Sequence, residues 1–325
     1  MEHSLLRVDS LNVEYRTRKG SIHAVEDVSF SIEKAETLGI VGESGSGKST
    51  LGLSLIGLVP YPGKITKGNV LLNGKELLKL KKEELRNIRG TKICYIFQDP
   101  MTSLNPVKKI GAHFVEVIRT HEPQVSKNDA LERAKKLLHD VGIRSERVND
   151  YPHQLSGGMR QRVMIALAIA LNPSVVVADE PTTALDVIVQ QKILDLLNKL
   201  RDAYGMALIL ITHDLSIVLQ RSDHIMVMYA GQLVEYAASE DIYLNPKHPY
   251  TKGLLKSIPN IELVDQKLEA IGGSPPDLLN KPTGCRFWPR CQFAFDRCRE
   301  EAVSLCNTGK GHFVRCHLFK ECTKE

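Results

Sequence analysis

No stretch of this 325-residue chain approaches the ~20 consecutive apolar residues that a membrane-spanning helix needs. The longest greasy runs, SVVVA at 174–178 and ALILI at 207–211, are strand-sized. Met1-Glu2-His3 opens no signal peptide, because a charged segment followed by an apolar run is missing. The net charge of +5 is modest and does not point to a nucleic-acid partner. There is no internal repeat and no low-complexity tract. Cysteine is nearly absent from the first 284 residues, where Cys94 stands alone, yet six follow at 285, 291, 298, 306, 316 and 322. A soluble or peripheral, cytosolic protein is expected. In a reducing compartment such a cluster favours a metal or cluster site over disulfides.

What is present has a clear order. Leu11, Val13 and Tyr15 alternate with polar residues, as do Val28, Phe30 and Ile32, which predicts half-buried antiparallel strands. TLGIV (37–41) is a continuous apolar strand feeding GESGSGKST (Gly42 to Thr50), and KSTLGLSLIGL continues as a helix. Asn73-Gly74 predicts a hairpin turn, and KICYIFQ (92–98) another strand. From about 100 to 172 the pattern turns helical. Ser126 is placed to cap a helix whose Leu131, Ala134, Leu138 and Val141 share a face, and Gly142 ends it. Strands and helices then alternate through SVVVA, a long helix from about 187, ALILIT and DLSIVLQ, the signature of a parallel sheet. HIMVMY and QLVEYA flank Ala230-Gly231 as a closing hairpin. Beyond about 240 the chain becomes proline-rich and irregular. Two domains are expected, 1–240 with a helical subdomain at about 100–170, and a C-terminal extension over 241–325.

The strand–glycine loop–helix order is the setting a phosphate-binding loop requires. The glycines among Gly42, Ser44, Gly45, Ser46 and Gly47 let successive backbone N–H groups curl around phosphate oxygens, and the following helix start adds favourable dipole charge. Lys48 is placed to neutralise the terminal phosphates of ATP, and the Ser49 hydroxyl, next to Thr50, to ligate Mg²⁺. A buried strand ends in Asp179, suited to Mg²⁺, and Glu180, suited to polarise an attacking water. Between these lies LSGGM (155–159), where Ser156, Gly157 and Gly158 open a helix and offer a hydroxyl and N–H groups to an anion. Tyr15, Gln98 and His213 are unremarkable singly and gain weight only from their order.

The series Tyr15, GESGSGKST, Gln98, LSGGMRQ, VVVADEP, Ala184-Leu185-Asp186 and His213 resembles the full motif set of an ATP-binding-cassette (ABC) ATPase over roughly residues 4–240. The resemblance implies an α/β fold: a P-loop NTPase core with a parallel sheet, an antiparallel β subdomain and a helical subdomain. In that family Tyr15 would stack on adenine, and Gln98 would touch Mg²⁺ and the water. Asp186 would lie in the D-loop, and His213 would reach the γ-phosphate. Ser156, Gly157 and Gly158 would face ATP held by a second ATPase subunit, making an ATP-sandwiched dimer in which a paralogous mate is favoured over an identical one.

NPKHPYTKGLL followed by a cysteine-bearing extension is similar to the C-terminal region of ATPases from bacterial oligopeptide and dipeptide importers. By spacing alone, Cys285, Cys291, Cys298 and Cys316 lack the paired Cys-x2-Cys knuckles of structural zinc and suit a [4Fe–4S] cluster, with zinc as the alternative. In the dipeptide-importer relatives the same four positions resemble cluster ligands. Arg286, Arg290 and Arg315 could offset the cluster's charge, and Cys306 and Cys322 are expected to be free, with either able to substitute as a ligand. The implied activity is ATP hydrolysis that powers import of di- or oligopeptides. Its partners would be two membrane permease subunits and, indirectly, a solute-binding protein, at the cytoplasmic face of the membrane. Import of nickel or another small solute, and a soluble non-transport ABC ATPase, are the alternatives.

Overall fold

Residues 4–99, 103–183, 185–258 and 271–319 are described in the computed structural model; Ala184 and Cys322 lie outside them. The strands are β1 (Leu6–Thr17), β2 (Gly20–Ile32), β3 (Thr37–Val41), β4 (Gly63–Leu72), β5 (Lys75–Glu76), β6 (Ile93–Ile96) and β7 (Val175–Asp179). After them come β8 (Ala207–Thr212), β9 (His224–Tyr229), β10 (Gln232–Ala238), β11 (Cys306–Asn307) and β12 (Phe313–Val314). The helices used below are α1 (Lys48–Leu55), α2 (Lys127–Asp140), α3 (Gly157–Ala168), α4 (Val187–Tyr204) and α5 (Pro249–Lys256). The chain forms two compact units, one mainly Lys79–Ile209, the other Leu6–Ile32, Thr37–Leu78 and Leu210 onward.

In the second unit the expected alternation becomes a four-stranded sheet in the order β2-β1-β4-β5. Strand β1 pairs antiparallel with both β2 and β4 and buries Leu6, Val8, Leu11 and Val13 on one side. The step from Val8 to Leu11 breaks strict alternation: the register shifts there, and Ser10 takes φ 44°. The Asn73-Gly74 turn forms as predicted, with φ 49° and 75° and Leu72 opposite Lys75. Strand β3, buried at all five positions, runs parallel to β9, and β9 turns through Ala230-Gly231 into antiparallel β10.

The cysteine-bearing extension continues this sheet. Tyr236 of β10 pairs with Phe313 of β12, and Asn307 of β11 pairs with Phe313 on its other side. Edge strand β10 is thereby covered by the extension.

In the first unit β6 and β7 are parallel, Ile93 opposite Val175 and Ile96 opposite Ala178. Helix α2 begins at Ser126, whose hydroxyl accepts the Asp129 N–H at 3.1 Å, and Gly142 follows it at φ 75°. It buries Ala130, Ala134, Leu137 and Leu138, while Leu131 stays half-buried. The predicted face is therefore rotated slightly toward 130 and 137. Helix α4 is capped by Asp186 and ends at Gly205 in the left-handed conformation (φ 61°). Among the described residues no helix is long and apolar enough to cross a membrane.

Candidate functional site: a phosphate loop, an acidic strand end and a thiol cavity

Two glycines of the phosphate loop leave no room for a side chain. A Cβ at Gly42 would lie 2.1 Å from the Met228 carbonyl oxygen, and one at Gly47 (φ 97°) 2.1 Å from that of Ala24. The loop is pinned by the β9–β10 turn, where the Gly231 N–H donates to the Ser46 carbonyl at 2.9 Å. Lys48 is buried, and its Nζ donates to the carbonyls of Gly42 (2.7 Å) and Glu43 (2.9 Å) and to Ser46 Oγ (3.4 Å). Ser44, Gly45 and Ser49 face solvent. Half-buried Tyr15 brings its hydroxyl to 3.4 Å from Thr50 Oγ1, next to the loop's helix α1. His213, in the same unit, is exposed just beyond β8.

The first unit assembles the acidic pair. Asp179 ends β7 buried, and Tyr95 Oη donates to it at 2.6 Å. Burial, reinforced by the Asp179 charge, raises the Tyr95 phenol far above its ordinary pKa, so it remains a donor. Gln98 Nε2 donates to Glu180 Oε2 at 2.8 Å, and Thr183 Oγ1 donates to the same oxygen at 2.9 Å. Glu180 has φ 45°, a conformation non-glycine residues rarely adopt and one that recurs at functional sites. Two residues 82 apart in sequence are brought together here, and the glutamate is oriented by two donors.

Nearby in the same unit Ser156 caps α3, accepting the Met159 N–H at 3.3 Å, and remains exposed. A Cβ at Gly158 would lie 2.7 Å from Val189 Cγ1, and one at Gly157 3.6 Å from Leu185 Cδ2. The glycines let the start of α3 abut the segment that Asp186 caps through the Val189 N–H (2.9 Å).

Cys285, Cys291, Cys298 and Cys316 line one small cavity with Phe287 and His317. Burial, aided by neighbouring sulfurs, pushes the Cys285 thiol up to about 11 and Cys316 up to about 12, and raises Cys291. Among the described residues no group of three or more His, Cys, Asp or Glu is arranged to hold a metal ion. Cys306 departs from expectation: it is disulfide-bonded, not free. It is buried in β11, whose pairing with β12 fixes it outside the four-thiol cavity. The three arginines expected to offset a cluster are engaged with the rest of the unit. Arg286 donates to the Ala230 carbonyl and to Glu26, Arg290 to Glu43, and Arg315 to the Leu233 and Val303 carbonyls.

Comparison with known proteins places this geometry. Residues 25–183 match the ABC transporter family, and 234–298 match the oligopeptide/dipeptide transporter C-terminal region. The chain is 48% identical to the oligopeptide transport ATP-binding protein AppD of Bacillus subtilis, over 98% of both chains. It is 44% identical to the dipeptide transport ATP-binding protein DppD of Escherichia coli, over 97% of this chain and 96% of that one. The chain belongs to the ATP-binding subunits of oligopeptide/dipeptide-type ABC transporters. Among solved structures, a dimeric ATP-binding cassette in a post-hydrolysis state with ADP and Pi is similar at TM-score 0.63 and 30% identity. That match covers 72% of this chain and 98% of the cassette.

As an ABC ATPase subunit, the protein has the mixed α/β cassette fold expected from its motifs and hydrolyses ATP. The contacts of three side chains were not read from sequence. Tyr95 sits at a strand position that reads as core, and nothing local marks its bond to Asp179. Tyr250, within the His-Pro-Tyr segment, accepts the Glu43 N–H at 2.9 Å through its hydroxyl. Arg290 was read as a countercharge and instead grips the phosphate loop.

Proposed function

We propose that this chain is the energising subunit of an importer for di- or oligopeptides, working at the cytoplasmic face of the membrane through a head-to-tail, ATP-sandwiched dimer with a second, paralogous ATPase. The reading rests on one observation above others: an intact phosphate loop and an oriented Gln98–Glu180 pair, in a chain similar along nearly its whole length to oligopeptide and dipeptide transport ATP-binding proteins. ATP is held by the backbone of Gly42, Ser44, Gly45, Ser46 and Gly47, with Thr50 following and Tyr15 against adenine. Lys48, set by the Gly42 and Glu43 carbonyls, meets the phosphate oxygens and offsets developing negative charge. Glu180 polarises the attacking water, Gln98 and Thr183 hold that carboxylate in place, and His213 contacts the γ-phosphate. Ser156, Gly157, Gly158 and Asp186 serve the ATP bound by the mate.

The exposed Ser49 hydroxyl, the Asp179 carboxylate and the Gln98 amide are hard oxygen donors that fit Mg²⁺, which would supply charge neutralisation on the phosphates. Two domains are assigned, 1–240 with the helical subdomain at about 100–170, and 241–325. A groove of about 620 Å³ lined by Tyr95, Phe97, His113, Val117, Met164 and Leu167 is assigned to a helix of the membrane permease pair. A solute-binding protein would act on those permeases from the far side.

The four-thiol cavity is assigned to a [4Fe–4S] cluster. Four soft sulfur donors lining one cavity are the donor type and number that such a cluster takes, and that lining is what supports the reading. Its role is to staple the extension, since a segment with only two-residue strands has little core of its own. An anaerobic preparation with visible absorption plus stoichiometric iron and sulfide is expected; a colourless zinc protein would overturn this assignment alone. For transport, proteoliposomes containing the permeases and both ATPases should take up a labelled dipeptide only with ATP. Uptake of nickel but no peptide would establish the alternative cargo.

A further inference from the structure

The extension touches the phosphate loop itself, and both belong to the same compact unit. Arg290 closes a short 3-10 turn, Trp288–Arg290, immediately before Cys291. One turn therefore delivers a thiol to the cavity and a guanidinium to the loop. That guanidinium is only 5% exposed and grips Glu43 with both prongs, Nη1 to Oε2 at 2.8 Å and Nη2 to Oε1 at 3.0 Å. Its remaining donors reach the Gly272 carbonyl (2.8 Å), the Ile271 carbonyl (3.2 Å) and Tyr229 Oη (3.3 Å).

Glu43 is held at three points. Arg290 holds its carboxylate, Tyr250 Oη its N–H at 2.9 Å, and its carbonyl accepts Lys48 Nζ at 2.9 Å and the Ser46 N–H at 3.2 Å. The first two holds come from beyond residue 248 and the third is the loop's own lysine. The Glu43 side chain is 27% exposed, so water alone could satisfy it. What the planar two-pronged contact adds is orientation.

We propose that Arg290 is a positioning residue of the ATPase: by fixing Glu43 it sets the carbonyl on which Lys48 rests, and so the loop shape that arriving phosphates meet. The brace acts whatever the four thiols hold. A loop fixed in its binding shape spends less free energy on ordering when nucleotide arrives, so loss of the brace weakens affinity.

The test is ATP affinity of the full-length chain, measured with a fluorescent ATP analogue, beside thermal unfolding without nucleotide. Arg290→Met and Glu43→Gln are each expected to raise Kd about tenfold, within the usual range for coupled sites. The double variant should bind no more weakly than the weaker single, because both remove the same contact. A Kd within about twofold of native in both singles, with only the unfolding midpoint lowered, reduces the pair to packing and overturns the proposal. Additive losses in the double variant overturn it too. Should Arg290→Met fail to fold, Glu43→Gln decides alone, since the amide keeps the shape and leaves the extension's own residues intact.

Discussion

At the residue scale, the proposed chemistry turns on how a few charged groups are held. Lys48 is kept on carbonyls, Glu180 on Gln98 and Thr183, and Asp179 on Tyr95. Tyr95 is the most informative of these to perturb, because the bond is short, buried and donated to a carboxylate. Tyr95→Phe removes the donor and keeps the ring. Hydrogen bonds to charged groups contribute about 1.5–3 kcal/mol, so urea unfolding should show a loss of about 2 kcal/mol. A variant as stable as the native chain would show that Asp179 does not depend on Tyr95.

At the element scale, the start of helix α5 carries the clearest pH dependence. His248 caps it, Nδ1 accepting the Tyr250 N–H at 3.0 Å, and is 1% exposed. Burial lowers its pKa from 6.5 to about 4, although the Glu235 charge works in the opposite direction. The folded chain therefore keeps this ring neutral while the unfolded chain protonates it below 6.5. Stability is complete above pH 6.5 and falls as pH drops toward 4, by about 3 kcal/mol at most. Glu235 behaves with the usual carboxylate sign. Burial alone would raise its pKa, but His312 and the N–H groups of Lys247 and His248 outweigh it and lower the value, so its contribution fades only below pH 4.5. Chemical denaturation at pH 7, 5.5 and 4.5 should show the slope, and His248→Asn, which can still cap, should flatten it. An equal slope in both proteins would assign the acid sensitivity elsewhere.

At the scale of the whole molecule, an exposed Ser156 at the start of α3 is what a shared ATP site asks of one half. Glu180→Gln keeps the Gln98 contact geometry but removes the base, so ATP binding should outlast hydrolysis. With the second ATPase subunit and Mg-ATP present, size-exclusion chromatography should show a stable dimer for this variant and a transient one for the native chain. A variant that stays monomeric at high concentration would remove the sandwich from the proposed mechanism.

Much of the cassette could be read without coordinates because its signals are local. A glycine pair that admits no Cβ, Ser126 as a helix cap, the Asn73-Gly74 and Ala230-Gly231 turns, and five-residue apolar strands each carry their physics within a few neighbours. The motif order then carried the ATPase reading. Contacts between residues far apart in sequence could not be read this way. Gln98 meets Glu180, Tyr95 meets Asp179, and Arg290 meets Glu43 across 247 residues. The bond at Cys306 was not read either, and β11 around it, at two residues, is too short for sequence periodicity to reveal. Local steric and capping preferences act along the chain, so sequence alone determined the loop, the caps and the strands. Which side chains share a buried carboxylate or a thiol cavity depends on how distant segments pack, and that only the tertiary structure decided.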